Sequence, residues 1–149
     1  MRAIVQRVIS SSVTINGDVV GKINKGVNVL IGISKEDTTQ DIIYIKDKIL
    51  GLRIFEDENG KMNKSLLEVN GELLVVSQFT LYGDCRKGRR PSFIEALSGE
   101  VAEKLYNTFI SLCKEVIPEM QTGVFGADMI VQIENEGPVT LMLDSKRAF

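Results

Sequence analysis

The sequence contains no histidine and no tryptophan, and only two cysteines and three prolines among its 149 residues. The absence of histidine excludes Ser-His-Asp and Cys-His mechanisms, as well as zinc sites built on histidine ligands. Cys85 and Cys113 stand far apart and form no CxxC motif, so neither a structural zinc site nor a redox pair is indicated. Two cysteines in a chain of this length are typical of reduced thiols. The sequence therefore predicts no metal site and no cofactor.

Long apolar runs are also missing from the chain. The apolar run at residues 29–33 is short, whereas a membrane-spanning helix needs about 20 apolar residues. Gln6 and Arg7 interrupt the apolar residues at the start of the sequence, which therefore lacks the core of a signal peptide. We expect a soluble, cytoplasmic protein with no membrane partner.

The overall composition is that of an ordinary globular domain, with 44% hydrophobic and 26% charged residues. No linker, repeat or low-complexity tract divides the chain, and its length predicts a single domain at residues 1–149. The formal net charge of -2 at pH 7 argues against nucleic-acid binding by the chain as a whole.

Basic residues are nevertheless concentrated in one segment, residues 82–93. Its only acidic residue is Asp84, and its basic residues are Arg86, Lys87, Arg89 and Arg90. Because salt screens charges beyond about 8–10 Å, a local basic segment can bind phosphate on an acidic body. A loop that serves only to increase solubility is the alternative that these residues leave open.

Strand patterns dominate the sequence. Segments rich in β-branched residues predict strands at residues 3–15, 19–23, 27–33, 72–78, 127–133 and 139–143. The Asn59-Gly60 dipeptide adds a short hairpin. The count is about seven strands.

Helical spacing of apolar residues appears twice. The first helix is predicted around Ile42, Ile45 and Ile49, with a capping box from residues 37–40. The second begins at the N-cap Ser98 and ends before Pro118. It buries the stripe Val101, Leu105, Phe109, Leu112 and Val116, extended by Ala102, Cys113 and Ile117. Because the strands cluster instead of alternating with helices, we expect the α+β class. The predicted architecture is a curved, mostly antiparallel sheet or partial β-barrel with about two helices packed outside.

Two apparent motifs are assigned to turns. Residues 21–26 have the spacing GxxxxG, but Val27 and Asn28 follow where a phosphate loop requires lysine and a hydroxyl residue. The acidic run at residues 56–58 adjoins the Asn59-Gly60 turn and is typical of a solvated hairpin tip.

The segment SQFTL at residues 77–81 is the strongest candidate site within the local sequence. It ends a buried strand and is followed at once by the basic segment. Backbone N–H groups that no longer pair with a neighbouring strand here can form an oxyanion hole. The alternative is an ordinary strand edge whose hydroxyl groups are all hydrogen-bonded. Thr80 has no nearby basic partner in the sequence and is a poor nucleophile. Gly137-Pro138, by itself, indicates only a tight turn.

Taken in order, the motifs along nearly the full chain resemble the D-aminoacyl-tRNA deacylase family. They are MRAIVQRV at residues 1–8, ILGLRIF at 49–55, GELLVVSQFTL at 71–81, RRPSF at 89–93, TGVFGADM at 122–129 and NEGPVT at 135–140. The resemblance implies hydrolysis of the ester between a D-amino acid and the terminal adenosine of tRNA, and of glycine on the wrong tRNA. It also implies a homodimer.

The resemblance also implies roles for individual residues. Gly137 and Pro138, joined by a cis peptide, would enter the partner subunit's site and contact the substrate α-amino group through their carbonyl oxygens. An L side chain would collide with them, whereas a D side chain would point away and glycine would pass. Arg7 would brace this dipeptide. The opposite wall would comprise Ser77, Gln78, Phe79 and Thr80, while Phe125 and Met129 would pack near the adenosine and the aminoacyl group.

The mechanism must suit a chain without histidine. We expect backbone N–H groups near Phe79 and Thr80 to form the oxyanion hole, while the vicinal ribose hydroxyl of the RNA orients or activates water. A covalent role for Thr80 is the rival mechanism. Editing of a mischarged L-aminoacyl-tRNA and non-catalytic tRNA binding are the alternative functions.

Overall fold

The computed structural model describes residues 1–149. Its strands are β1 (Arg2–Ile15), β2 (Asp18–Ile23), β3 (Gly26–Gly32), β4 (Phe55–Glu56), β5 (Met62–Lys64), β6 (Glu72–Ser77), β7 (Gln121–Thr122) and β8 (Ile130–Asp144). The helices are α1 (Thr39–Gly51) and α2 (Gly99–Lys114), and a short 3-10 turn comprises Phe79–Tyr82. Neither α-helix has the length and apolar content that crossing a membrane requires.

Strand β1 organises the sheet because it is long enough to pair with three other strands. Its first half pairs antiparallel with β3 and its second half with β2, along one edge. β8 pairs antiparallel with the other edge over most of its length. β3 pairs parallel with β6, and β6 with β7. β2 curls back towards β7, where Gly21 lies against the Thr122 carbonyl, so the sheet is nearly closed into a barrel. This confirms the predicted fold class.

Apolar side chains are buried on both faces of this curved sheet. The larger core lies between the sheet and the two helices and contains Val29, Ile45 and Phe109. A smaller cluster lies on the opposite face and contains Val8 and Leu74. Burial on both faces explains why β3 and β6 are almost continuously apolar in sequence.

The buried face of α2 differs from the predicted stripe. Phe109 is fully buried as expected, but Val101 is 58% exposed and Val116 is 42% exposed. Tyr106, which was not in the predicted stripe, is buried in the core, and its hydroxyl donates to the Val75 carbonyl over 3.1 Å. A stripe defined by apolar residues alone omits tyrosine, which packs in a core once its hydroxyl finds an acceptor.

The start of α1 and the last strand also differ from the prediction. The capping box of α1 uses Thr38 and Asp41 instead of residues 37–40, since the Thr38 amide donates to the Asp41 carboxylate over 2.8 Å. Asp37 instead accepts the Ser34 amide. The two predicted final strands form the single strand β8, whose pairing with β1 shifts register twice near its middle.

Candidate active site

A cavity of about 440 Å³ opens where β6 gives way to the 3-10 turn. Five of the predicted site residues line it, namely Ser77, Gln78, Phe79, Phe125 and Met129. They come from two segments that are distant in sequence and that the sheet brings together, because β7 pairs with β6 just before the second segment begins. The structure therefore brings these five residues together, whereas Thr80, which we predicted beside Phe79, does not line the cavity.

Backbone hydrogen bonds determine how the chain enters and leaves the 3-10 turn. The Gln78 amide donates to the Ile31 carbonyl over 2.7 Å, and the Gly83 amide donates to the Thr80 carbonyl over 2.9 Å. The amides of Phe79 and Thr80 stand at the start of the turn, where a 3-10 helix offers no internal acceptor. Donors in this position beside a cavity suit an oxyanion.

Arg2 holds the other end of the turn. Its Nη1 donates to the Leu81 carbonyl over 3.1 Å, and its guanidinium lies 4.5 Å from the centroid of the Tyr82 ring. Its Nε pairs with Asp144 of β8 at 3.1 Å. A four-residue turn is thus tied to both β1 and β8 through one side chain.

The cavity contains little that can act as a side-chain acid or base. Asp128, an exposed residue, is the one ionisable side chain that lines it. The exposed Thr80 hydroxyl oxygen accepts a hydrogen bond from Gln78 Nε2, and no basic group adjoins it. Tyr106 packs behind Phe125, and its burial raises the pKa of the phenol so that it stays neutral. The arrangement can position an ester and donate hydrogen bonds, but the Thr80 hydroxyl is paired with Gln78 and not with a base that would activate it as a nucleophile.

Residues 84–92 form a basic hairpin, and Phe93, the residue that follows it, contacts Phe79 of the cavity wall. The Asp84 and Ser92 backbones close it with hydrogen bonds of 2.8 and 3.0 Å. Arg86 binds the Asp84 carboxylate through Nε and Nη2, which holds the pKa of that carboxyl well below its usual range. The other predicted phosphate contacts form no ion pair in the protein; they are Lys87, Arg89 and Arg90. Three cations therefore remain available to an anionic partner.

Residues 135–139 form an exposed bend in the middle of β8, called here the Gly-Pro bend. The Asn135 Nδ2 donates to the Arg7 carbonyl over 2.8 Å and to the Val139 carbonyl over 3.0 Å, which closes the bend. Gly137 and Pro138 lie at its exposed tip and are joined by a cis peptide.

The Arg7 side chain lies beneath this bend. It is 6% exposed, and its Nη1 donates to the Ile54 carbonyl over 2.6 Å. Its Nε lies 3.1 Å from Oε2 of Glu136, the residue that precedes the glycine of the bend. A buried guanidinium that is anchored at one end can hold the bend at the other.

The Gly-Pro bend does not line the cavity of its own chain. Val131 of β8 lines the cavity, and Gly137 follows six residues later, about 20 Å away along an extended strand. One protomer therefore presents the cavity wall and the bend at different places on its surface.

Residues 97–99, which we did not predict as part of the site, complete the cavity. They precede and begin α2, so the N-terminus of this helix faces the cavity. The predicted N-cap Ser98 was the sequence signal at this position, but it indicated only a helix start.

A larger cavity, of about 630 Å³, lies at the other end of the 3-10 turn, beside Tyr82 and Gly83. Charged side chains of both signs line it, and they include Arg86, which we predicted as a phosphate contact. None of the residues predicted to contact the ester lines it. The smaller cavity is the better candidate because it combines apolar walls with the strand-end motif.

The family model and the relatives that match this chain carry similar descriptions. The family model described as D-Tyr-tRNA(Tyr) deacylase matches residues 4–144. Two relatives, both named D-aminoacyl-tRNA deacylase, match over 100% of both chains: one from Clostridium acetobutylicum at 67% identity and one from Clostridium tetani at 70%.

Two solved structures share the fold. The c-Myc DNA Unwinding Element Binding Protein is 44% identical, with a TM-score of 0.92 over 97% of this chain and 98% of that one. A probable eukaryotic D-amino acid tRNA deacylase is 21% identical, with a TM-score of 0.82 over 95% of this chain and 97% of that one.

Substitution of Gly32 tests how tightly the 3-10 turn packs on β3. A Cβ at this position would lie 3.0 Å from the Gln78 carbonyl oxygen and 3.0 Å from Leu81 Cβ. We expect Gly32→Ala to lower the free energy of unfolding by about 1–3 kcal/mol. Gly51→Ala is the control, because nothing lies within 4 Å of its Cβ position. Urea denaturation measures both; equal stability of Gly32→Ala and wild type would contradict the close packing.

Proposed function

The chain belongs to the D-Tyr-tRNA(Tyr) deacylase family, and we propose that it hydrolyses the ester between a D-amino acid and the terminal adenosine of tRNA. The observation that carries this proposal is the contact between Phe93, which directly follows the basic hairpin, and Phe79, which lines the cavity together with Ser77 and Gln78. An apolar cavity suits the aminoacyl ester, while unpaired cations suit the RNA phosphates. In this assignment Lys87, Arg89 and Arg90 contact phosphate. Arg86 also contacts phosphate, through the guanidinium N–H groups that do not bind Asp84.

We propose that the active unit is a homodimer in which the Gly-Pro bend of one subunit enters the cavity of the other. Two features support this. The bend is exposed but distant from its own cavity. The outer edge of β8 pairs with no strand, and it carries Ile130 at 73%, Leu141 at 36% and Met142 at 59% exposure. A long unpaired edge with exposed apolar side chains is typical of an interface.

The proposed dimer explains selection of D substrates by steric exclusion. Gly137 and Pro138 of the partner subunit would contact the α-amino group through their carbonyl oxygens. An L side chain would then point into the bend, whereas a D side chain would point out of the cavity. Glycine has no side chain to exclude, so glycyl-tRNA would also be hydrolysed. Arg7 would act as the positioning residue for the bend, through Glu136.

Catalysis in this proposal rests on position and hydrogen bonding. The amides of Phe79 and Thr80 would stabilise the oxyanion that forms when water attacks the ester carbonyl. The vicinal ribose hydroxyl of the RNA would orient or activate that water, since the only ionisable side chain that lines the cavity is the exposed Asp128. Phe125 and Met129 would pack against the adenosine and the aminoacyl group.

Binding of nucleic acid without catalysis is the second candidate function. A solved relative with 44% identity is named as a DNA-element binding protein, and the basic hairpin would serve such a role equally well. Editing of an L-aminoacyl-tRNA is the third. The three functions differ in which esters are hydrolysed.

The decisive assay compares D-, L- and glycyl esters of one tRNA. We expect hydrolysis of the D ester to be about 100-fold or more faster than that of the L ester, because the bend excludes the L side chain. Glycyl-tRNA should be hydrolysed as well. Release of free amino acid measures all three rates. Preference for the L ester would favour L-specific editing, and no hydrolysis with tight tRNA binding would favour the binding module.

The role of the RNA is tested with a substrate that ends in 2′-deoxyadenosine and carries the amino acid on its 3′ oxygen. We expect about a 100-fold slower hydrolysis, the scale of a lost general base.

Thr80→Ala should retain most of the wild-type rate on the normal substrate, because only the backbone of Thr80 is used. Undiminished hydrolysis of the deoxy substrate would refute RNA assistance, and loss of activity in Thr80→Ala would favour the covalent mechanism.

Action of the bend in trans predicts complementation between two inactive variants. Phe79→Ala damages the cavity wall. Gly137→Val should fold normally, because its Cβ meets only Asn135 Oδ1 at 3.9 Å in its own chain, but it would obstruct the cavity of the other subunit. Mixed heterodimers then contain one intact site.

We expect an equal mixture, refolded together, to recover about a quarter of the wild-type rate, since half of the dimers are mixed and each has one good site. Each variant alone is the control. An inactive mixture that contains heterodimers would place the wall and the bend in the same chain.

A further inference from the structure

Phe93, which has no role in the proposed chemistry, lies at the junction of the basic hairpin and the cavity. It follows directly after Ser92, the residue that closes the hairpin. Its ring meets the Phe79 ring edge to face, with centroids 5.1 Å apart and an interplanar angle of 67°. Phe79 lines the cavity, so Phe93 stands at the outer side of the cavity wall.

The Phe93 ring is held in place but is not a core residue. It is 38% exposed and belongs to neither apolar cluster. Its Cε1 lies only 3.0 Å from where a Cβ on Gly83 would be, so the ring packs directly on that backbone. The neighbouring Phe79 is 55% exposed. Two adjacent aromatic rings thus combine a packed geometry with access to solvent.

The charges around these rings indicate what they bind. Arg89 and Arg90 precede Phe93 by only a few residues and, like Lys87, form no ion pair. Cations that follow a phosphate backbone, together with exposed aromatic rings, are how proteins bind unpaired nucleotides. A base inside a duplex has both faces covered by its neighbours, so a single exposed ring suits an unpaired base.

We propose that Phe93 is a stacking platform for the unpaired RNA base that precedes the terminal adenosine, while the basic hairpin binds the adjacent phosphates. The inference rests on the proposed function, which puts the terminal adenosine in the cavity next to Phe79. The ring of Phe93 lies one aromatic contact further out, where the next nucleotide of the strand leaves the cavity. Phe93 thereby recognises the single-stranded 3′ end and not the amino acid.

The experiment compares two substrates that carry the same D-amino acid, intact D-aminoacyl-tRNA and the D-aminoacyl ester of adenosine alone. We expect Phe93→Leu to raise KM for the tRNA by about 5- to 100-fold, the range measured for loss of one stacked base. Its kcat on tRNA and its kcat/KM on the adenosine ester should stay at wild-type values, because the ester lacks the stacked base. Phe93→Tyr should restore the wild-type KM.

Ile94→Ala is the matched control, since Ile94 is the next residue and is 71% exposed without an aromatic ring. It should leave both substrates unaffected. An equal loss on both substrates in Phe93→Leu would show that Phe93 only supports Phe79, and an unchanged KM for tRNA would also overturn the proposal.

Failure of the proposed function gives a different result, in which wild type hydrolyses neither substrate. Equilibrium binding of uncharged tRNA then decides the stacking proposal without catalysis. We expect weaker binding by Phe93→Leu of the same size, about 5- to 100-fold. Equal binding by wild type and Phe93→Leu would overturn stacking.

Discussion

The hydrogen bond from the Gln78 amide to the Ile31 carbonyl is the contact on which the candidate site depends. It extends the parallel pairing of β3 and β6 by one residue beyond the end of β6. After Gln78 the chain leaves the sheet and forms the 3-10 turn. This turn packs on Gly32 and accepts a hydrogen bond from Arg2. The position of Phe79 and Thr80 is therefore set by the rigid sheet, although they belong to a short irregular element. Sites supported in this way hold their donors more accurately than free loops do.

The lack of histidine constrains the chemistry as strongly as the fold does. A cavity whose only ionisable wall residue is the exposed Asp128 has no group suited to remove a proton from a buried nucleophile. An aminoacyl ester is already reactive, however, and its own RNA carries a hydroxyl next to the ester. In the proposed mechanism the RNA hydroxyl acts on the water, while the protein stabilises the developing charge and excludes the wrong stereoisomer. Backbone groups can do both without a titrating side chain.

Recognition in the proposed complex is divided among three separate surfaces. The cavity takes the ester and the terminal adenosine, the basic hairpin with Phe93 takes the strand that leads to it, and the Gly-Pro bend of the partner subunit closes the far side. Asn135 and Arg7 hold the bend from within its own subunit. This separation explains how one chain of 149 residues can test both the RNA and the stereochemistry of a small amino acid.

Much of the secondary structure followed from sequence, because strand and helix patterns are properties of neighbouring residues. The strand-end motif at Ser77, the basic segment and the turn at Gly137-Pro138 were all recognisable in this way. The buried face of α2 was not, since Tyr106 enters the core only through an acceptor supplied by β6. No local pattern related Phe125 to Phe79, and only the family resemblance grouped them. In the structure the parallel pairing of β6 with β7 brings both to one cavity, and the hydrogen bond from the Leu97 amide to the Ile33 carbonyl brings residues 97–99 there. Tertiary structure also placed the Gly-Pro bend outside the cavity of its own chain, because the bend lies several residues beyond Val131, the residue of β8 that lines this cavity.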